Sequence, residues 1–218
     1  MALPSASPID VKFRQHIETT YSPIPRDDQE KLIDGLLSLT ELARDKRQDI
    51  HSFLDKVAKT IFRHFAFDEI AIGTYDRKEG NYRMIVVFGY QPEVAAEYLK
   101  MRYEHEDMTS QERFPFIKIG KISELDPVEG LPESERKILN RPYAGSLARG
   151  AVDEFHEGDY IDVWIYGPQK NIIGWIELSK PRSGKLPSKT IVRWVEVIAS
   201  MCSFAIRQKW LQEDAARR

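Results

Sequence analysis

Hydrophobic residues recur at helical spacing in some stretches of this chain and at alternate positions in others. Residues 1–27 follow neither pattern. They hold few apolar side chains, are rich in Pro and small polar residues, and end in Tyr21-Ser22-Pro23-Ile24-Pro25, so they read as an extended arm or linker. From Asp28 the spacing is helical, with Leu32, Leu36, Leu39 and Ala43 at three- and four-residue steps. Asp49 is placed to cap a second helix, in which Ile50, Leu54, Val57 and Ile61 continue the stripe.

After Asp68 the period falls to two. Ile70, Ile72 and Thr74 point one way and Ala71, Gly73 and Tyr75 the other; a polar turn at 76–81 and a returning strand at 82–90 complete a β-hairpin. Pro92 opens a helix to about residue 102, with Val94, Tyr98 and Met101 on one side. The mixed stretch 103–150 predicts a strand over 116–122, a short helix over 133–139 and loops. In a second hairpin, Tyr160, Asp162, Trp164 and Tyr166 alternate with Ile161, Val163 and Ile165, the turn lies at 167–171, and 172–179 returns. Ser188 caps a last helix to about residue 211. Short turns between neighbouring strands imply an antiparallel sheet, hence an α+β layered domain over 28–212, followed by a polar tail at 213–218.

The last helix is more apolar than a single interface requires. Ile191, Val195, Ile198, Cys202 and Ala205 form one stripe, and Val197, Met201, Phe204 and Leu211 a second beside it. With Trp194 the apolar arc spans roughly 240° of the wheel, whereas a helix lying on a sheet needs only about 100°. The surplus, leaving a polar wedge of Glu196, Ser200, Ser203 and Arg207, calls for a second partner: the early helix, a second subunit, or both. The expected contact is a homodimer bundle through Leu36, Leu39, Val197, Met201 and Phe204.

Composition narrows the possible functions. The 218 residues balance 32 basic against 34 acidic side chains, and a net charge of −2 gives no reason to expect nucleic acid or anionic lipid as partner. The longest plain apolar run, at 84–88, is far too short to span a membrane, and no signal-peptide stretch opens the chain, so the cytoplasm is the expected compartment. The single cysteine, Cys202, excludes an intrachain disulfide.

Three segments carry a family resemblance. The hairpin DVWIYGPQKNIIGWIEL at 162–178 is similar to the apolar strand, tight turn and Ile-Gly-apolar-apolar-x-Leu return of GAF domains, and the family's final helix follows at 191–208. FAFDEIAIGTYD at 65–76 looks like its helix-to-first-strand junction, and IGKISELD at 119–126 is similar to its third strand. The resemblance covers about residues 30–210. It implies a GAF-like, PAS-related antiparallel sheet with terminal helices on one face and pocket-forming loops and short helices on the other. It also implies a small-molecule-binding, dimerising sensory module in signal transduction with an output partner, rather than an enzyme.

The chemistry of some family members is missing. Bilin-binding GAF domains attach the chromophore through a pocket cysteine, whereas Cys202 lies on the core stripe of the last helix, so no covalent bilin is expected. Methionine-sulfoxide reductases of similar fold use several cysteines, and the Asn-Lys-x-Asp-Glu motif of cyclic-nucleotide-binding members has no counterpart. No glycine-rich phosphate loop or nucleophile elbow appears. His105, in Glu104-His105-Glu106-Asp107, and His156, beside Glu154 and Glu157, are the candidates for a metal or an axial haem ligand; they keep open a metal- or haem-containing redox or gas sensor, or an enzyme, on the same fold. No metal or other cofactor is assigned. The expected ligand-binding residues are Tyr98, Arg102, Tyr103, Phe116, Tyr143 and Trp164, aromatic or hydrogen-bonding groups on pocket-side segments, and the expected ligand is a small aromatic or anionic metabolite. Trp175 lies in the same hairpin as Trp164, and alternation alone leaves open which of the two faces the pocket.

Overall fold

A computed structural model describes residues 27–45, 47–112, 115–130 and 149–217. Helix α1 (Asp28–Arg44) starts where the Asp27 side chain accepts the Glu30 amide, and α2 (Ile50–Phe65) where Asp49 accepts that of Ser52. The β1 (Phe67–Asp76) and β2 (Asn81–Phe88) hairpin leads to α3 (Pro92–Lys100), which has Pro at its start, and then to a two-residue edge strand β3 (Arg102–Tyr103). Strands β4 (Ile117–Lys118) and β5 (Ser123–Asp126) precede a 3-10 turn (Val128–Gly130). The hairpin of β6 (Tyr160–Tyr166) and β7 (Ile172–Pro181) then delivers α4 (Lys189–Ala216), capped by Ser188.

Seven strands form one antiparallel sheet in the order β3-β2-β1-β7-β6-β5-β4, so the α+β fold expected from the sequence is present. Helix α2 covers β1 and β2, α4 covers β6 and β7, and α1 packs on both helices. Between helices and sheet lies the main core, including Phe53, Leu54, Ile61, Ile72, Ile161, Ile176, Ile198 and Cys202. Helix α3 lies on the opposite face, where Tyr98 is buried with Tyr82, Trp164 and Trp175.

Three local expectations are corrected. The stretch 116–122 is not one strand. Only Ile117 and Lys118 pair, with β5, and 119–122 forms the turn between them, closed by the Ile119 and Gly120 amides on the Ser123 carbonyl. A β-carbon at Gly120 would sit 2.3 Å from the Glu196 carboxylate, so close packing against α4 shapes this turn. Helix α3 stops at Lys100, which leaves Arg102 on an edge strand. Leu39 is only 2% exposed and belongs to the chain's own core; the outward residues of α1 are Ile33 and Leu37. The helix expected over 133–139 lies outside the described residues. Helix α4 continues through most of the polar tail to Ala216, where Asp214 pairs with Arg77 at 3.0 Å. Among the described residues no helix is long and apolar enough to cross a membrane.

Candidate functional site

Alternation along the central strands builds the α3-side face in three rows. Gly73, Trp175 and Trp164 are register partners across β1, β7 and β6. Two residues along, Ala71, Glu177, Asp162, Glu124 and Lys118 form the second row across β1, β7, β6, β5 and β4. Glu69 pairs with Ser179, and Tyr160 with Asp126, to make the third. Residues directly opposite in an antiparallel pair share a face, so Trp164 and Trp175 lie on the same side, and the choice between them that alternation left open does not arise.

The first row is aromatic. The Trp175 ring lies over Gly73, where a β-carbon would come within 2.1 Å of it. Tyr103 meets Trp175 edge-on at 5.6 Å, and Tyr82 does so at 6.4 Å. The Tyr82 hydroxyl donates to the Ile172 carbonyl, and burial pushes its pKa up. Trp164 donates from its indole nitrogen to Glu124 at 2.9 Å.

The second and third rows carry several buried carboxyls, and the second ends at the exposed Lys118 on β4. Glu177 accepts from the hydroxyls of Tyr90 at 3.1 Å and Tyr98 at 3.3 Å. Asp126 is 4% exposed. Burial, followed by the neighbouring Glu124 and Glu177 charges, pushes its carboxyl up to about 8.

The margin of this face is held by ion pairs. Arg149 engages Asp159 at 2.7 Å and Glu129 at 2.6 Å, and Asp159 also accepts the Val128 and His156 amides. These contacts tie residue 149 to the turn at 128–130.

Of the expected ligand-binding residues, Tyr98, Tyr103 and Trp164 are brought together in one cluster. Arg102 lies at its rim: its side chain is exposed and donates to the Leu99 and Met101 carbonyls near the end of α3. Phe116 is half-buried and outside the cluster, and Tyr143 lies outside the described residues. His105 is exposed, its Nδ1 3.4 Å from the Tyr82 hydroxyl; His156 is buried, its Nε2 3.5 Å from Glu154. Among the described residues no group of three or more His, Cys, Asp or Glu is arranged to hold a metal ion. Sequence reasoning missed Asp126, Asp162 and Glu177. The available signal was alternation: each sits out of phase with the Ile, Val and Leu residues that face the helices.

No protein-family model matches the chain, and no curated protein matches it by sequence. Solved structures do match. The GAF domain/HD domain protein from Geobacter sulfurreducens superposes with TM-score 0.54 at 14% identity, covering 79% of this chain and 98% of that one. The GAF domain of a phosphoenolpyruvate-protein phosphotransferase from Coxiella burnetii gives TM-score 0.54 at 11% identity, over 84% of this chain and 96% of that one. The phycoerythrobilin-bound GAF domain from a cyanobacterial phytochrome gives TM-score 0.54 at 10% identity, over 87% of this chain and all of that one. With a seven-stranded antiparallel sheet carrying helices α2 and α4 on one side and α3 on the other, this chain has the fold of a GAF domain.

Proposed function

We propose that this chain is a regulatory module that binds a small molecule on the α3 side of its sheet and works as a homodimer, with no catalytic step of its own. The observation that carries the reading is the asymmetry of the sheet. One face is filled mainly with aliphatic side chains and a few phenylalanines under α2 and α4, while the other sets Trp164, Trp175 and Tyr98 beside buried carboxyls. Aromatic walls with a few directed polar groups are the usual lining of a small-molecule site. Exposed apolar side chains on α4 supply the surface for a second copy, and the polar contacts between α4 and β5 give binding a route to that helix.

Native mass spectrometry of gently purified protein tests the reading. A stoichiometric co-purifying compound, or one from a metabolite set that raises the melting temperature, supports it. The reading fails if no compound co-purifies and none in the set stabilises the protein. Denatured protein is also expected to carry no chromophore after incubation with bilins.

A further inference from the structure

We infer that a second copy of this chain covers the outer side of α4 in parallel register, and that Arg207 of each subunit enters a notch beside Asp45 of the other. This deepens the homodimer part of the proposed function and rests on it.

The notch lies where the turn between α1 and α2 faces the second half of α4. Asp45 and Gln48 stand on one wall, and Gln208, Lys209 and Gln212 on the other. The open space is about 300 Å³, counting the solvent at its mouth. Asp45 follows α1, and its own chain uses only one of its carboxylate oxygens among the described residues. Oδ1 accepts the Arg47 amide at 2.9 Å and lies 3.5 Å from the Arg47 Nε, on a side chain that is 93% exposed. Lys209, the cation on the opposite wall, acts on Asp49 at the start of α2. The Asp45 charge is therefore left at the notch with one loose partner.

The outer side of α4 says what arrives there. Val197, Phe204 and Leu211 repeat at seven residues and are exposed, and Trp194, Met201 and Gln208 stand three residues ahead of each, half-buried. These are the two inward positions of a parallel helix pair, and a polar residue such as Gln208 in one of them sets the register. Arg193, Ser200 and Arg207 come just before the second set and flank the seam. In a parallel pair such a flanking residue meets the partner helix five positions further along. Arg207 therefore arrives at Gln212 of the partner subunit, a wall of the notch. Its guanidinium is exposed and has neither an ion pair nor a hydrogen bond with any described residue. The two charges left unmatched within one chain thus meet across the two-fold axis, twice per dimer. In an antiparallel pair, flanking rows of the same kind face each other, and Arg207 would not reach the notch.

The dimer dissociation constant of the full chain, measured by sedimentation equilibrium in a double-mutant cycle, provides the test. Asp45→Asn keeps an oxygen for the Arg47 amide and removes the charge, and Arg207→Gln alters a side chain that stands in water. Each is expected to weaken the dimer about three- to tenfold, as losing two exposed ion pairs would. The double variant is expected to be no weaker than either single one, because the two changes remove the same contact. If neither single change moves the constant, or if their effects multiply in the double variant, the notch contact is overturned while the dimer stands. A wild type that sediments as a monomer at tens of micromolar, by order of magnitude, overturns the dimer and this inference together.

Discussion

One carboxylate oxygen of Glu196, on α4, accepts both the Ile122 amide and the Ser123 hydroxyl, each at 2.9 Å. Ser123 opens β5, whose next residues on the α3 side are Glu124 and Asp126. Glu196 is therefore a direct polar link between the strand that carries these carboxyls and the longest helix. Arg193 holds the other Glu196 oxygen.

Replacing Glu196 with Ala is expected to lower stability by about 1.5–3 kcal/mol, the usual range for hydrogen bonds to a charged group. Burial alone would raise the Glu196 pKa, but the Ile122 amide, Arg193 and Ser123 outweigh it and hold the carboxyl below its ordinary 4.5. A depressed carboxyl stabilises the fold in full above its unfolded value, and the contribution disappears as pH falls through the folded value. Denaturant melts of wild type and Glu196→Gln should therefore differ at neutral pH and converge in acid. A difference that persists unchanged below pH ~3 would show that packing, not charge, is responsible.

Asp126 has the opposite sign. Its folded pKa is raised, so the folded state holds a proton that the unfolded state has released between the ordinary 3.8 and about 8. The resulting penalty is absent below the first value, grows across that window, and is complete above the second. Asp126→Asn is expected to stabilise the ligand-free protein, by a margin that widens from pH ~4 to pH ~8 and reaches an order of a few kcal/mol. Thermal melts across pH measure it. A margin that is flat or narrows with rising pH would contradict the assignment.

Gly73 is the position where the first row leaves no room. A β-carbon would lie 2.1 Å from the Trp175 ring, whose other neighbours are Tyr82 and Tyr103. Gly73→Ala is expected to cost about 1–3 kcal/mol through overpacking and to change the near-UV circular dichroism of the displaced indole. Trp175→Leu in the same background should recover part of the loss. Full stability in the single variant would mean that the ring has somewhere else to go.

What the sequence made legible follows from how repetitive each signal is. Ile161, Val163 and Ile165 alternate without interruption, and the hairpin they predict is observed at Tyr160–Tyr166. The caps at Asp49 and Ser188 were readable because a side-chain oxygen before a periodic run has one common use. The 116–122 stretch misled because Phe116, Ile117, Ile119 and Ile122 look like a strand in composition, while a contact with Glu196, 74 residues beyond Ile122, sets the turn. Distant contacts of this kind leave no local trace. Leu39 was misplaced for a related reason: α1 has apolar residues on two sides, and only packing on α2 and α4 decides which side faces inward. The acidic rows were hidden because an alternating polar residue reads as solvent-facing until something is known to cover that side of the sheet.

Cys202 lies fully buried in α4, and burial pushes its thiol up to about 12. Since the thiolate is the reactive form, native protein at pH 8 should resist a thiol reagent that labels the denatured chain at once. Cys202→Ser is expected to cost about 1–3 kcal/mol for the buried hydroxyl, without changing ligand affinity. Rapid stoichiometric labelling of the native protein would contradict this placement.

Dimerisation turns on a spacing that became specific once the structure separated the inner and outer sides of α4. Val197, Phe204 and Leu211 fall seven residues apart and are 46%, 44% and 67% exposed, with half-buried Trp194 three residues before Val197 and half-buried Met201 between Val197 and Phe204. Apolar residues at alternating three- and four-residue steps make the seam of a parallel helix pair. Burying six such side chains, already partly covered, contributes about 1–2 kcal/mol each, enough to compete with an association cost of about 4–15 kcal/mol. The wild type is expected to be a dimer by light scattering at tens of micromolar, by order of magnitude. The double change Val197→Glu and Phe204→Glu should halve the mass while circular dichroism and melting behaviour stay those of a folded chain, because both charges sit in water once the subunits part. Met201 is less suitable for this test, since it also packs against the core and a charge there would disturb the fold itself. If the outer row were instead covered within one chain, the double variant would unfold and the wild type would scatter as a monomer, and either result would remove the dimer from the proposed function.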